Sequence, residues 1–147
     1  MKASRSEHVH IENAWYDGPV AGVANIGGQP HRFMLMHDES RATGDAIYQV
    51  WPIDAAELAL EQEQWTLFVQ WHERYEAGLA DTSSHPGHGG VDARWDALQT
   101  VLADARQHIP PHARQATATL ERLDDAPRYS ISGPDYQMCW TLISPCN

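Results

Sequence analysis

The run WYDGPVAGVANIGGQPHRF, from Trp15 to Phe33, sets turn residues at regular intervals between short apolar stretches and leaves this stretch of chain few ways to fold. Asp17-Gly18-Pro19 and Gly27-Gly28-Gln29-Pro30 are turn sequences, because Gly supplies positive φ, Pro fixes φ near about −65° and Asp bonds its own backbone. Val20 to Ile26 and His31 to His37 between and after them read as strands, so the block predicts an antiparallel meander. Upstream, His8 to Tyr16 alternates, with Val9, Ile11 and Trp15 on one face and His8, His10, Glu12 and Tyr16 on the other, the pattern of a half-buried strand.

Ala46 to Pro52 forms a fourth strand, stopped by the proline. Asp54 and Glu57 then make a D-x-x-E capping box, with Ile53 and Leu58 flanking it as a hydrophobic staple. The predicted helix runs from about residue 55 to about Ala77, where Gly78 is a C-terminal stop, and its inward stripe is Leu58, Trp65, Phe68, Val69, His72 and Tyr75. A second helix follows Asp92, with Trp95, Leu98, Leu102, Ala105 and Ile109 as its stripe, and ends before Pro110-Pro111. The Gly-, Ser-, Pro- and His-rich stretch from Leu79 to Val91 between them is a loop. Ala116 to Leu123 and Tyr136 to Ile143 read as further strands, with a short one at Arg128 to Ser132 and a turn at Gly133-Pro134-Asp135. This order predicts an α+β fold, a single domain over residues 1–147, in which an antiparallel sheet of about five to seven strands packs on two helices. A chain of 147 residues buries roughly 70% of its extended surface, enough for a core without metal or disulfide staples.

The spacing W-Y-D-G-P-x2-G-x-A-x3-G-x-P-H-x-F, followed by Trp51-Pro52 and a long helix, resembles a group of small bacterial proteins to which no function is attached. The likeness is densest from Glu12 to Phe33 and thins towards Trp140-Thr141-Leu142. It implies a shared fold and a bacterial source, and it carries no activity, cofactor or site residue.

Charge narrows the function classes. The formal net charge is −10, and Lys2 is the only lysine. That removes a P-loop lysine, a Schiff-base lysine and a Ser-Lys dyad, and it argues against nucleic-acid binding, which rests on Lys and Arg contacts to phosphate. No apolar run approaches the roughly 18 residues of a membrane span, and Cys139 and Cys146 lack C-x-x-C spacing, so a cytoplasmic protein in a reducing compartment is expected. There is no G-x-S-x-G elbow and no G-x-G-x-x-G after a strand, so the sequence leans towards a binding or regulatory module over an enzyme.

Three functional readings follow. In the first, the acidic helix beginning near residue 55 and exposed aromatic side chains dock a basic protein partner, as an immunity or inhibitor protein would, through Trp15, Tyr16, Asp17, Glu61, Glu63, Trp71 and Glu73. In the second, histidines hold a metal: His8-x-His10-x-Glu12 sets three ligands on one strand face, and His85 and His88 in the inter-helix loop are able to join them. The third is a small-ligand pocket. No cofactor is expected, and His31, His37 and His72 read as structural.

Overall fold

The computed structural model describes residues 5–36 and 46–143. The chain is α+β, and it divides into two compact units: residues 1–54 with 109–147, and residues 55–108. The first is a closed six-stranded antiparallel barrel, formed by β1 (Ser6–Trp15), β2 (Pro19–Ile26), β3 (Gln29–Leu35), β4 (Ala46–Pro52), β5 (Arg114–Arg122) and β8 (Tyr136–Leu142). A two-stranded hairpin, β6 (Tyr129–Ser130) and β7 (Gly133–Pro134), lies between β5 and β8.

The meander forms as its turn residues dictate. Gly27 and Gly28, at φ 62° and 79°, make a two-residue loop that pairs Ile26 with Gln29, the mirror-image turn that matches strand twist and that L side chains resist. Glu7 accepts both of their amides at 2.9 and 2.8 Å, tying the turn to β1. β3 ends at Leu35; His37, its expected last residue, lies outside the described residues. The sheet closes on itself because β8 pairs with both β5 and β1, the latter through Ser6↔Cys139, Glu7↔Met138 and His8↔Gln137. Closure removes free edges. Val9, Ala24, Phe33, Leu35, Tyr48, Val50, Ala116, Tyr136, Met138 and Trp140 fill the barrel, with Phe33, Tyr48 and Trp140 meeting at centroid distances of 5.4–5.6 Å. The indole Nε1 of Trp140 is buried there without a hydrogen-bond partner.

One feature of β1 was not visible as alternation. Val9 stands opposite Ala24, but Ile11 stands opposite Val23 and Glu12 opposite Gly22, so a bulge around His10 shifts the register. Gly22 in turn faces inward-pointing Phe33. The bulge therefore turns Glu12 into the barrel, while His8, opposite Gln137, stays on the outer face. The expectation that His8, His10 and Glu12 share one face fails for this reason.

The second unit is a helical hairpin, α1 (Ala55–Glu76) and α2 (Ala93–Gln107), with two 3₁₀ turns, Thr82–Ser84 and Pro86–His88, in the connection. α1 ends in a Schellman motif: Leu79 N–H reaches the Arg74 carbonyl at 2.8 Å and Gly78 N–H that of Tyr75 at 3.0 Å. α2 is capped by Asp92, whose carboxylate accepts the Trp95 amide at 3.0 Å. The buried residues of α1 are Glu61, Gln64, Trp65 and Val69, so the inward stripe holds an acid and an amide beside its apolar members. Among the described residues, no helix is long and apolar enough to cross a membrane.

Candidate functional site

The bulge that turns Glu12 inward builds one end of the barrel. Its carboxylate accepts the Tyr136 hydroxyl at 2.8 Å and Arg128 Nη2 at 2.8 and 3.0 Å, with only 6% of the side chain exposed. Arg128 arrives on the segment that carries β6 and β7. That segment lies close along β1, where a Cβ on Gly133 would stand 2.1 Å from the Val9 carbonyl oxygen. The guanidinium then sits 4.9 Å from the Trp15 ring centre and 4.4 Å from that of Tyr129. Burial opposes the Arg128 charge, yet the Glu12 hydrogen bond and charge outweigh it and hold the pKa above its ordinary value. Burial, reinforced by the Glu12 charge, pushes the Tyr136 hydroxyl far above the usual tyrosine range, so it remains a donor. This cluster fixes Trp15, whose ring lies 5.5 Å from that of Tyr136.

Above it, at the barrel mouth, opens a cavity of about 250 Å³. Its walls are Trp15, Pro19, Tyr48, Leu120 and Met138; Ala46, Ala118 and Gly18 are too small to fill it; Asp17 and Arg122 bring charge to its lining. Ala118, Leu120 and Arg122 share the inward face of β5 with core residue Ala116. Tyr48 is held in place by donating its hydroxyl to the Pro19 carbonyl at 2.6 Å. Of the residues named from sequence, Trp15, Tyr16 and Asp17 fall here. Trp15 and Asp17 line the cavity, and Tyr16 is 68% exposed. Tyr48, Leu120, Arg122 and Met138 were missed, although the alternation Ala116, Ala118, Leu120, Arg122 along one strand face was a readable signal of one wall.

The acidic helix does not present the surface expected of it. Glu61 is 1% exposed and is held by Arg106, at 3.0 Å from Nε and 2.5 Å from Nη2; Gln64 accepts the same Nη2 at 2.6 Å and donates to Gln99 at 3.1 Å. Glu63 pairs with Arg94, which holds its carboxyl below the ordinary value. Glu73 alone of the three is an exposed acid without an ion pair among the described residues. Trp71 is half-buried: it donates to Ser84 Oγ at 2.9 Å, stacks on Tyr75 at 5.1 Å and meets the edge of His85 at 4.5 Å. It therefore works as a pin for the inter-helix loop. Grooves of about 540 and 350 Å³ flank it, both larger than the barrel cavity, but both are walled largely by the 78–88 loop itself.

The histidines fall into two pairs in different units. His8 and His10 meet edge to face at 4.6 Å, and His10 Nε2 bonds the Asn25 side-chain oxygen at 2.8 Å. Burial, and then His10, lowers the His8 pKa. His85 Nδ1 accepts the Gly87 amide at 2.9 Å, so its proton rests on Nε2, and no lone pair remains on that nitrogen for a metal. His88 Nε2 donates to the Thr82 carbonyl at 2.8 Å. Among the described residues no group of three or more His, Cys, Asp or Glu side chains gathers as a metal ion requires. Cys139 is half-buried on the outer barrel face opposite Ser6.

Comparison of the chain with protein-family models, with curated proteins and with solved structures gave no match.

Proposed function

We propose that this protein is a binding module whose site is the open end of the barrel, where it takes a small, partly apolar ligand. The observation that carries the reading is the mouth cavity. Its large walls, Trp15, Tyr48, Leu120 and Met138, stand on strands or strand ends, and its space exists because Ala46 and Ala118 are small. Barrel mouths are common places for such sites, since rigid walls meet water there and few polar groups suffice to orient a ligand. At about 30 Å³ per water, the cavity holds about eight waters or a ligand of like bulk. The acidic-helix reading loses ground to this one, because Glu61 and Glu63 are already paired within the helical unit.

Filling the cavity tests the proposal. Indole has the right bulk and no charge, and ligand-detected NMR reports its capture. Ala118→Leu adds three carbons on the inward face of β5, and it is expected to fold with an undiminished melting temperature while indole binding falls at least roughly tenfold. Equal capture by native and Ala118→Leu proteins would remove the barrel mouth as the site.

A further inference from the structure

Resting on that reading, we propose that the ligand is the zwitterion of a free amino acid with a compact apolar side chain. The lining of the cavity carries one acid and one base, Asp17 and Arg122, on an otherwise apolar chamber. They are not partners of each other. Arg122 makes its ion pair with Asp135, at 3.7 Å, beyond hydrogen-bond length, and the Asp17 carboxylate has no ion pair or hydrogen bond among the described residues. By contrast the neighbouring Arg128 is bonded to both oxygens of Glu12. Asp17 and Arg122 thus line one cavity more than salt-bridge distance apart, which leaves room between them for a group that carries both charges.

Each alternative ligand class leaves a cost. A simple anion meets Arg122 but is placed near the Asp17 carboxylate; a simple cation meets Asp17 and is placed near the guanidinium; a neutral apolar molecule uses neither. A zwitterion with both charges on one carbon engages both and sends its side chain down among Trp15, Tyr48, Leu120 and Met138. The two charges are also well supported. Asp17 sits in the β1–β2 turn at φ 54°, a conformation Asp tolerates, and Arg122 is the last residue of β5. Both are wet, Arg122 being 59% exposed in its side chain, so each contact is worth roughly three- to tenfold in affinity.

Calorimetry with four matched probes tests this: L-leucine, L-leucinamide, N-acetyl-L-leucine and the uncharged 3-methylbutan-1-ol. Leucine is expected to bind tightest, each capped form about three- to tenfold weaker, and the alcohol weakest. Arg122→Met should abolish leucine's advantage over leucinamide, and Asp17→Asn its advantage over N-acetyl-leucine. Circular dichroism melts establish that both variants are folded. If the alcohol binds as tightly as leucine, the zwitterion assignment is overturned and the binding site stands. If leucinamide or N-acetyl-leucine binds tightest, the ligand is a peptide N- or C-terminus instead, and the assignment again falls. Binding of none of the four, with indole still captured by the native protein and lost in Ala118→Leu, overturns the zwitterion assignment and leaves the barrel-mouth site standing.

Discussion

Glu12 carries more of the site's geometry than any other single residue, since one carboxylate holds Arg128 and Tyr136 and, through them, the Trp15 wall. Glu12→Gln keeps the shape and removes the charge. A fully buried pair broken on one side costs about 3–5 kcal/mol, but Arg128 is one-third exposed and rehydrates, so a loss of about 1–3 kcal/mol is expected in urea denaturation. Tyr136→Phe removes one hydrogen bond and leaves Glu12 with Arg128, a loss of about 1 kcal/mol. Tyr136 also sets an alkaline limit. Its folded pKa lies above the ordinary 10.0, so the unfolded chain releases a proton that the folded one keeps. The stabilisation is complete below pH 10 and declines as pH rises beyond it. Tyr136→Phe should flatten that decline; a urea midpoint that falls equally in both proteins between pH 9 and 11 would contradict the role given to this hydroxyl.

The helical elements show where pattern reading worked and where it failed. Helix limits were legible because their signals are local: Asp92 caps α2 and Gly78 closes α1, each within a few residues of the end it marks. Glu61 was misread because its partner Arg106 lies 45 residues away, and nothing on α1 itself distinguishes a buried acid from a solvated one. The pair's asymmetry gives a prediction. Arg106→Leu takes the guanidinium from a carboxylate whose side chain is 0% exposed and should cost about 3–5 kcal/mol; Glu61→Leu leaves an arginine 19% exposed that reaches water, and should cost less. The double variant should lie closer to the native protein than Arg106→Leu alone. His85 adds a pH dependence in the connection. Protonation of Nδ1 breaks its bond from Gly87, and burial followed by the charge of His88 lowers its pKa from 6.5. Its contribution is whole above pH 6.5 and is lost as pH falls through the folded value. His85→Asn, whose side-chain oxygen accepts the same amide, should shrink the drop in melting temperature between pH 7 and pH 5.

On the scale of the whole chain, most strands of the barrel were legible and its closure was not. Turn chemistry marks hairpins between neighbours in sequence, so β1 to β3 could be read from Asp17-Gly18 and Gly27-Gly28, and β4 from the apolar run that Pro52 stops. The seam that converts a sheet into a barrel joins residues 6–8 to 137–139, and no local pattern encodes a pairing at that separation. The site suffered in the same way: Trp15 and Asp17 could be named from the turn they flank, but Arg122 and Met138 reach the mouth only once β5 and β8 close the ring. The seam is directly testable, because Ser6 stands opposite Cys139 on the outer face. Opposed residues of an antiparallel pair have Cα atoms about 4.5–5.5 Å apart, within disulfide range. Ser6→Cys, in a background where Cys146 is replaced by Ser, should therefore oxidise to a 6–139 bridge on exposure to air. The loop it closes spans 139 − 6 = 133 residues, for which chain entropy allows up to about 5 kcal/mol. Part of that is offset by the lost hydrogen bond from Ser6 to Glu121, at 2.6 Å. A rise in melting temperature on the order of 10 °C over the reduced form is expected. Thiol titration and peptide mapping check the bridge. A Ser6→Cys protein that keeps both thiols free under oxidising conditions would mean that β1 and β8 are not paired in this register, and the mouth cavity, with Trp15 on one side of the seam and Met138 on the other, would lose the wall they share.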